Sequence, residues 1–258
     1  MDAHIIQNLS DIEHAENVRI FFACESGSRA WGFPSADSDY DVRFLYIRPV
    51  EWYLSILEDR DVIEKPISGD LDINGWDLKK ALGLFRKSNP PLMEWLGSPI
   101  VYRETGTIAQ RMRDLAPTFY SPISSTYHYL QMARRNFREY LHGEQVWVKK
   151  YFYVLRPLFA VQWIEQDLGL VPTDFNVMLQ RLVPDGPLRE AIDDLLKKKR
   201  AGAELDSGPR VEPISNFIES ELARWETAAV PQETCHGVIE QLNQVFRDAL
   251  TEVWMAHV

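Results

Sequence analysis

Cysteine is nearly absent: Cys24 and Cys235 are the two in 258 residues. Their separation fits neither a redox pair nor a zinc-ligand spacing, which leaves no disulfide framework and points to a reducing, cytoplasmic setting. Long apolar runs are absent too. None approaches the ~20 residues that a membrane span needs. The opening stretch MDAHIIQNLSDIEHAEN carries acids and lacks a basic n-region, so it does not read as a secretory signal. His128, His142, His236 and His257 show no metal-ligand spacing, and there is no internal repeat or low-complexity tract. Positive charge is in short supply, with 28 Lys and Arg against 38 Asp and Glu, net −10. That argues against a bulk electrostatic nucleic-acid binder but leaves room for a local basic site.

What is present suits a soluble globular protein, with 45% hydrophobic and 26% charged residues. VRIFFAC (18–24) and DVRFLYI (41–47) read as strands, and DVIEKP (61–66) and DLDINGWDL (70–78) as two more. Helix signals interleave at 49–59, at 77–88 with Asp77 as N-cap, and at 89–99. Beyond about residue 116 the strand signal fades. Helical spacing governs 125–143, 146–169 (with a kink expected at Pro157), 186–202, 213–228 and the C-terminal stretch. The expected organisation is an α+β domain over 1–116, a mixed sheet with flanking helices, followed by an all-helical domain over 117–258.

Charge divides the chain in the same way. Residues 1–115 are net −6, residues 126–160 net +4, and residues 161–258 net −8. A basic island beside an acidic front suits a cation site plus a polyphosphate site. Its plainer meaning is a pair of solvated helix faces.

The stretch GSRAWGFPSADSDYDVRFLY (27–46) carries the chemistry. Side chains two apart on a strand project together, so Asp39 and Asp41 share a side if the strand begins near 39. Carboxylates that close repel unless protonated or bridged by a cation. A hard divalent ion such as Mg²⁺ takes oxygen ligands and keeps sites open for phosphate. Gly27 allows close backbone approach, Ser28 adds a hydroxyl, and Arg29 adds a charge-assisted contact. Without a ligand, SADSDYD is simply a polar turn.

Strand, Gly-Ser, a short linker and Asp-x-Asp resemble the signature of the DNA polymerase β-type nucleotidyltransferase superfamily. With DINGWDLKKAL, KSNPPLMEWLGSPIVY and KKYFYVLRPL, the chain resembles the RlaP family of predicted nucleotidyltransferases, linked to RNA repair. The likeness runs from about 20 to 165. It implies a polymerase β-like catalytic domain and transfer of a nucleoside monophosphate from an NTP such as ATP. Asp39, Asp41 and a third acid would hold two Mg²⁺ ions, with Mn²⁺ as an alternative, and Gly27 and Ser28 would bind phosphates. Asp72, between apolar neighbours, is favoured as the third acid over Asp77, whose N-cap position explains it; Asp70 lies nearby. Asp72 would hold the acceptor-side ion or take a proton.

Lys149, Lys150, Tyr153 and Arg156 are candidates for clamping phosphates, against ordinary snorkelling and packing roles. Trp31 and Trp76 are candidates for stacking a base, against core roles. Asn89 and Glu94 are candidates for ribose or base contact, against capping and a surface acid. The acceptor stays open among an RNA 3′ end, a protein hydroxyl as in AMPylating antitoxins, and a small molecule. The rival classes are a catalytically silent nucleotide-binding module and a helical interaction protein.

Overall fold

The computed structural model describes all residues except 36, 58, 203–205, 229–236 and 256–258. Two compact units divide the chain. The first comprises Met1–Ala30, Asp39–Tyr120 and the C-terminal segment, described over 237–255. The second comprises Trp31–Ser38 and Ser121–Thr234.

In the first unit, strands β1 (Arg19–Glu25), β2 (Tyr40–Ile47), β3 (Val62–Glu64), β4 (Leu71–Asp77) and β5 (Val101–Glu104) form one sheet. Their order is β3-β4-β2-β1-β5. β2 and β4 run parallel, and the other neighbours are antiparallel. The four strands expected from sequence are all present; β5 joins them as an edge strand that the sequence reading did not name. Alternation along β2 sends Val42, Phe44 and Tyr46 into one core with Ile5, Leu9 and Ile12 of the helix Asp2–Glu16. Leu45 and Ile47 enter the opposite core, under the helices Leu78–Arg86, Pro90–Leu96 and Ile108–Phe119. By the same period of two, Asp41 and Arg43 lie on the Leu45 side of the sheet.

Two helix starts follow sequence chemistry. Asp77 accepts a hydrogen bond from the Lys79 amide at 2.8 Å, and Asn89 one from the Leu92 amide at 3.1 Å. Each satisfies a donor that a helix N-terminus leaves orphaned. The helix expected at 49–59 shrinks to Val50–Tyr53. Its apolar residues Leu54, Ile56 and Leu57 are exposed, Ile56 almost completely at 99%. A helix there would gain little packing, and packing supplies most helical stability.

The second unit holds the helices Pro122–Tyr140, Tyr151–Glu165, Phe175–Leu182, Pro187–Arg200 and Glu212–Thr227. Tyr151–Glu165 is buried nearly all round, which its apolar sequence requires. Phe33 stacks on Phe152 at 5.0 Å and meets Phe175 edge-on at 5.5 Å.

The expectation of one all-helical domain over 117–258 is corrected in two respects. A short ribbon, β6 (Gln145–Trp147) paired with β7 (Ser207–Pro209), sits in the second unit. The C-terminal helix Ile239–Leu250 buries Leu242, Val245 and Ala249 in the core of the first unit instead. An amphipathic pattern states that a face is covered, not by what. Among the described residues, no helix is long and apolar enough to cross a membrane.

Candidate active site

The site begins where β1 ends. The Ser26 amide donates to the Asp41 carbonyl at 2.8 Å, which ties the turn to β2. Gly27 follows with φ +58°. A Cβ there would lie 2.0 Å from Asp41 Oδ2. Glycine is therefore required twice, for its left-handed backbone and for its missing side chain. Ser28 and Arg29 complete the single helical turn Gly27–Ala30. Arg29 Nε donates to the Asp39 carbonyl at 3.1 Å, and its guanidinium lies 3.8 Å above the Tyr40 ring.

β2 begins at Tyr40, one residue later than the expected strand start, so Asp39 stands directly before the strand and not within it. Asp41 pairs in register with Asp72 across the parallel β2–β4 ladder. Arg43 closes the gap between those two acids. Its Nη2 donates to Asp41 Oδ1 at 3.0 Å and to Asp72 Oδ2 at 2.8 Å. Its Nη1 donates to the Asp72 carbonyl at 3.1 Å and the Val42 carbonyl at 3.0 Å. The Arg43 side chain is only 14% exposed.

Burial pushes the Asp41 carboxyl above its ordinary pKa range; Arg43 opposes this, while the nearby Asp72 and Asp39 charges add to it. Glu25 lies beneath, fully buried, and accepts the Asp41 amide at 2.7 Å and the Tyr102 hydroxyl. Burial raises its pKa also, with those two hydrogen bonds opposing. Among the described residues, no three His, Cys, Asp or Glu side chains form a ready cation cage. The oxygen chemistry nevertheless fits a hard cation at Asp39 and Asp41: Arg43 holds Asp41 Oδ1, while Oδ2 turns toward Gly27 and the Asp39 charge bears on the same carboxylate.

The remaining candidates fall in several places. Asp77 is buried as an N-cap at the far end of β4, where it also accepts the Tyr53 hydroxyl at 2.6 Å. Asp70 is exposed just before β4, and its carbonyl accepts the Tyr40 amide at 2.7 Å. Asn89 caps, Glu94 is half-buried on the following helix, and Trp76 stacks on Trp95 at 3.9 Å. In the second unit, Trp31 meets Tyr153 edge-on at 5.7 Å. Lys150 Nζ lies 4.5 Å from both the Tyr140 and Tyr153 rings, and Lys149 sits 3.5 Å from Asp206. Burial lowers the Lys150 pKa, and Lys149 lowers it further. Arg156 is 1% exposed, with its guanidinium 4.6 Å from the centre of the Trp31 ring. It is an interior residue of the helical unit, with no surface to offer a phosphate.

Arg43, Glu25 and Lys199 escaped the sequence reading. Arg43 was visible in principle, two residues beyond Asp41 on the same strand face. Glu25 sits at the end of an apolar run, where a buried acid is uncommon. Lys199 is 9% exposed, with its pKa lowered by burial, partly restored by Asp37 and lowered again by Lys149.

A glycine turn against paired aspartates, beside a third aspartate on the adjacent parallel strand, belongs with the polymerase β-type nucleotidyltransferases. The family model described as "RlaP: RNA repair pathway DNA polymerase beta family" matches residues 1–248, and the chain belongs to that family. The resemblance drawn from the sequence is thus borne out. A relative from Bacillus subtilis (strain 168), the uncharacterized protein YcgL, is 49% identical over 255 residues, 98% of each chain. Among solved structures, a nucleotidyltransferase-like protein from Exiguobacterium sibiricum 255-15 matches at 11% identity and a TM-score of 0.35. That match covers 98% of this chain and 91% of the other. It is too remote to bear on any residue here.

Proposed function

We propose that the chain is a divalent-cation-dependent nucleotidyltransferase that moves a nucleoside monophosphate from an NTP onto the 3′ hydroxyl of an RNA. The observation that carries this reading is Asp41 against the Gly27 turn, with Asp39 directly before the same strand and tied by its carbonyl to Arg29 of that turn, and Asp72 in register across the ladder. The RNA repair wording of the family description supports the acceptor.

Asp39 and Asp41 would hold the cation, Mg²⁺ or Mn²⁺. When bound, it supplies charge neutralisation on the triphosphate and the leaving pyrophosphate. The Gly27–Ser28 turn offers backbone N–H groups and a hydroxyl to phosphate oxygens, and Arg29 adds positive charge beside it. The acceptor oxygen bonds to the α-phosphorus while the α-phosphorus bond to its bridging oxygen breaks. Pyrophosphate leaves with that electron pair, and Asp72 takes the proton of the acceptor hydroxyl. In the second unit, Lys149 and Lys150 are adjacent cations, and the Lys149 charge bears on Lys150, which suits a phosphate-bearing ligand.

The net charge of −10 favours a second acceptor, a protein hydroxyl. Incubation with α-³²P-labelled NTPs, Mg²⁺, an RNA bearing a free 3′ hydroxyl and a cell extract separates the two. Label on the RNA that is lost in Asp41→Asn supports the proposal. Label on protein instead replaces the acceptor, and no transfer from any NTP overturns the reading.

A further inference from the structure

Nucleotidyl-transfer sites that use two ions place one at the attacking oxygen and one at the leaving oxygen, with shared carboxylates between them. Here the carboxylate positioned to be shared is Asp41, and one side of it is already taken. Its Oδ1 and the Asp72 Oδ2 both accept from Arg43 Nη2, at 3.0 and 2.8 Å. The guanidinium is anchored further by Nη1, which donates to the carbonyls of Val42 and Asp72. Four hydrogen bonds and a side chain only 14% exposed fix it in place. Planar guanidinium groups suit this two-carboxylate geometry, and they carry their charge at every working pH.

The other side of Asp41 differs. Oδ2 turns toward Gly27, the turn on which Ser28 and Arg29 lie, and the Asp39 charge bears on the same carboxylate. That oxygen takes no hydrogen bond from Arg43, whose contact with this carboxylate is at Oδ1, so this side of Asp41 faces the turn with Asp39 rather than the guanidinium.

Building on the nucleotidyltransferase reading, we infer that Arg43 takes the place of the acceptor-side ion, so that the site loads one divalent cation, on Asp39 and Asp41. The guanidinium holds Asp41 and Asp72 at fixed separation and stabilises negative charge developing on the acceptor oxygen as its proton passes to Asp72. Arg43 is thereby both the charge and the positioning element of that half of the site.

Counting ions tests this without turnover. Mn²⁺ is titrated into the full chain in the presence of an α,β-methylene NTP analogue, and free Mn²⁺ is read by electron paramagnetic resonance. Wild type and Arg43→Lys are expected to bind one ion per chain. Arg43→Gln is expected to bind two, because the freed Asp41–Asp72 pair then attracts a cation. Circular dichroism establishes that the variants fold; if Arg43→Gln does not, the wild-type count decides. Two ions on wild type overturn the inference and leave the proposed function standing. One ion on a folded Arg43→Gln also overturns it. No ion on wild type overturns the proposed function, and this inference with it.

Discussion

Gly27 and Asp41 compete for the same space: a methyl group on Gly27 would stand 2.0 Å from the Asp41 carboxylate oxygen. The turn that follows β1 and strand β2 are therefore built as one object. Gly27→Ala is expected to lose about 1–2 kcal/mol from the left-handed backbone alone, with the displaced carboxylate adding to it. Urea unfolding measures the loss. Nucleotide binding should weaken in the same variant, and an unchanged unfolding midpoint would contradict this account of the turn.

Asp41 and Asp72 should separate kinetically although both contact Arg43. Asp41→Asn is expected to abolish Mg²⁺-dependent nucleotide binding. Asp72→Asn should leave that binding nearly intact and lower kcat by ~10²-fold or more, the usual contribution of a positioned proton acceptor. Steady-state kinetics show the division as a change in kcat with little change in the KM for NTP.

Much of this site was legible, and the reason is local. Period-two alternation along 41–47 and the glycine turn are short-range facts, and the apolar-Asp-apolar setting of Asp72 marks it as a strand residue. The parallel register that sets Asp72 opposite Asp41 is a long-range fact, supplied from sequence only through family resemblance. Arg43 lies on the same face, but its contact with Asp72 depends on the same long-range register, so the sequence alone does not tie the guanidinium to both acids. The C-terminal helix packs in the first unit, which sequence does not reveal, because Leu242, Val245 and Ala249 define an apolar stripe without naming its partner. The short helix Val50–Tyr53 shows the converse, a helical pattern with no surface to pack against.

Asp77 offers a stability prediction away from the chemistry. Burial raises its carboxyl pKa, and the Tyr53 hydroxyl and Lys79 amide oppose the rise. An acid with a raised folded pKa favours folding below its unfolded pKa. That contribution is lost as pH climbs through the raised value. Asp77→Asn keeps a capping oxygen and removes the charge, so its stability relative to wild type should increase from about pH 4 to pH 8. Asp77→Ala loses the cap and should cost ~1 kcal/mol. Chemical denaturation at several pH values checks both.

The adjacent Lys149 and Lys150 of the second unit predict a binding change. Lys150→Gln is expected to weaken the affinity for inorganic triphosphate by ~10-fold, in line with one lost charge-assisted contact. Isothermal titration at low salt measures it, and an unchanged affinity would assign Lys150 to packing against Tyr140 and Tyr153 alone.

The most direct measurement is a thermal-shift titration with ATP, CTP, GTP and UTP, with and without Mg²⁺, on wild type and on Asp39→Ala/Asp41→Ala. A ligand that binds only the folded chain adds about 2.7 kcal/mol at a hundredfold excess over its Kd, a shift of several degrees. At least one nucleotide is expected to stabilise wild type only with Mg²⁺ and to leave the double variant unmoved. Equal stabilisation of both proteins, or none of wild type at millimolar nucleotide, would contradict it.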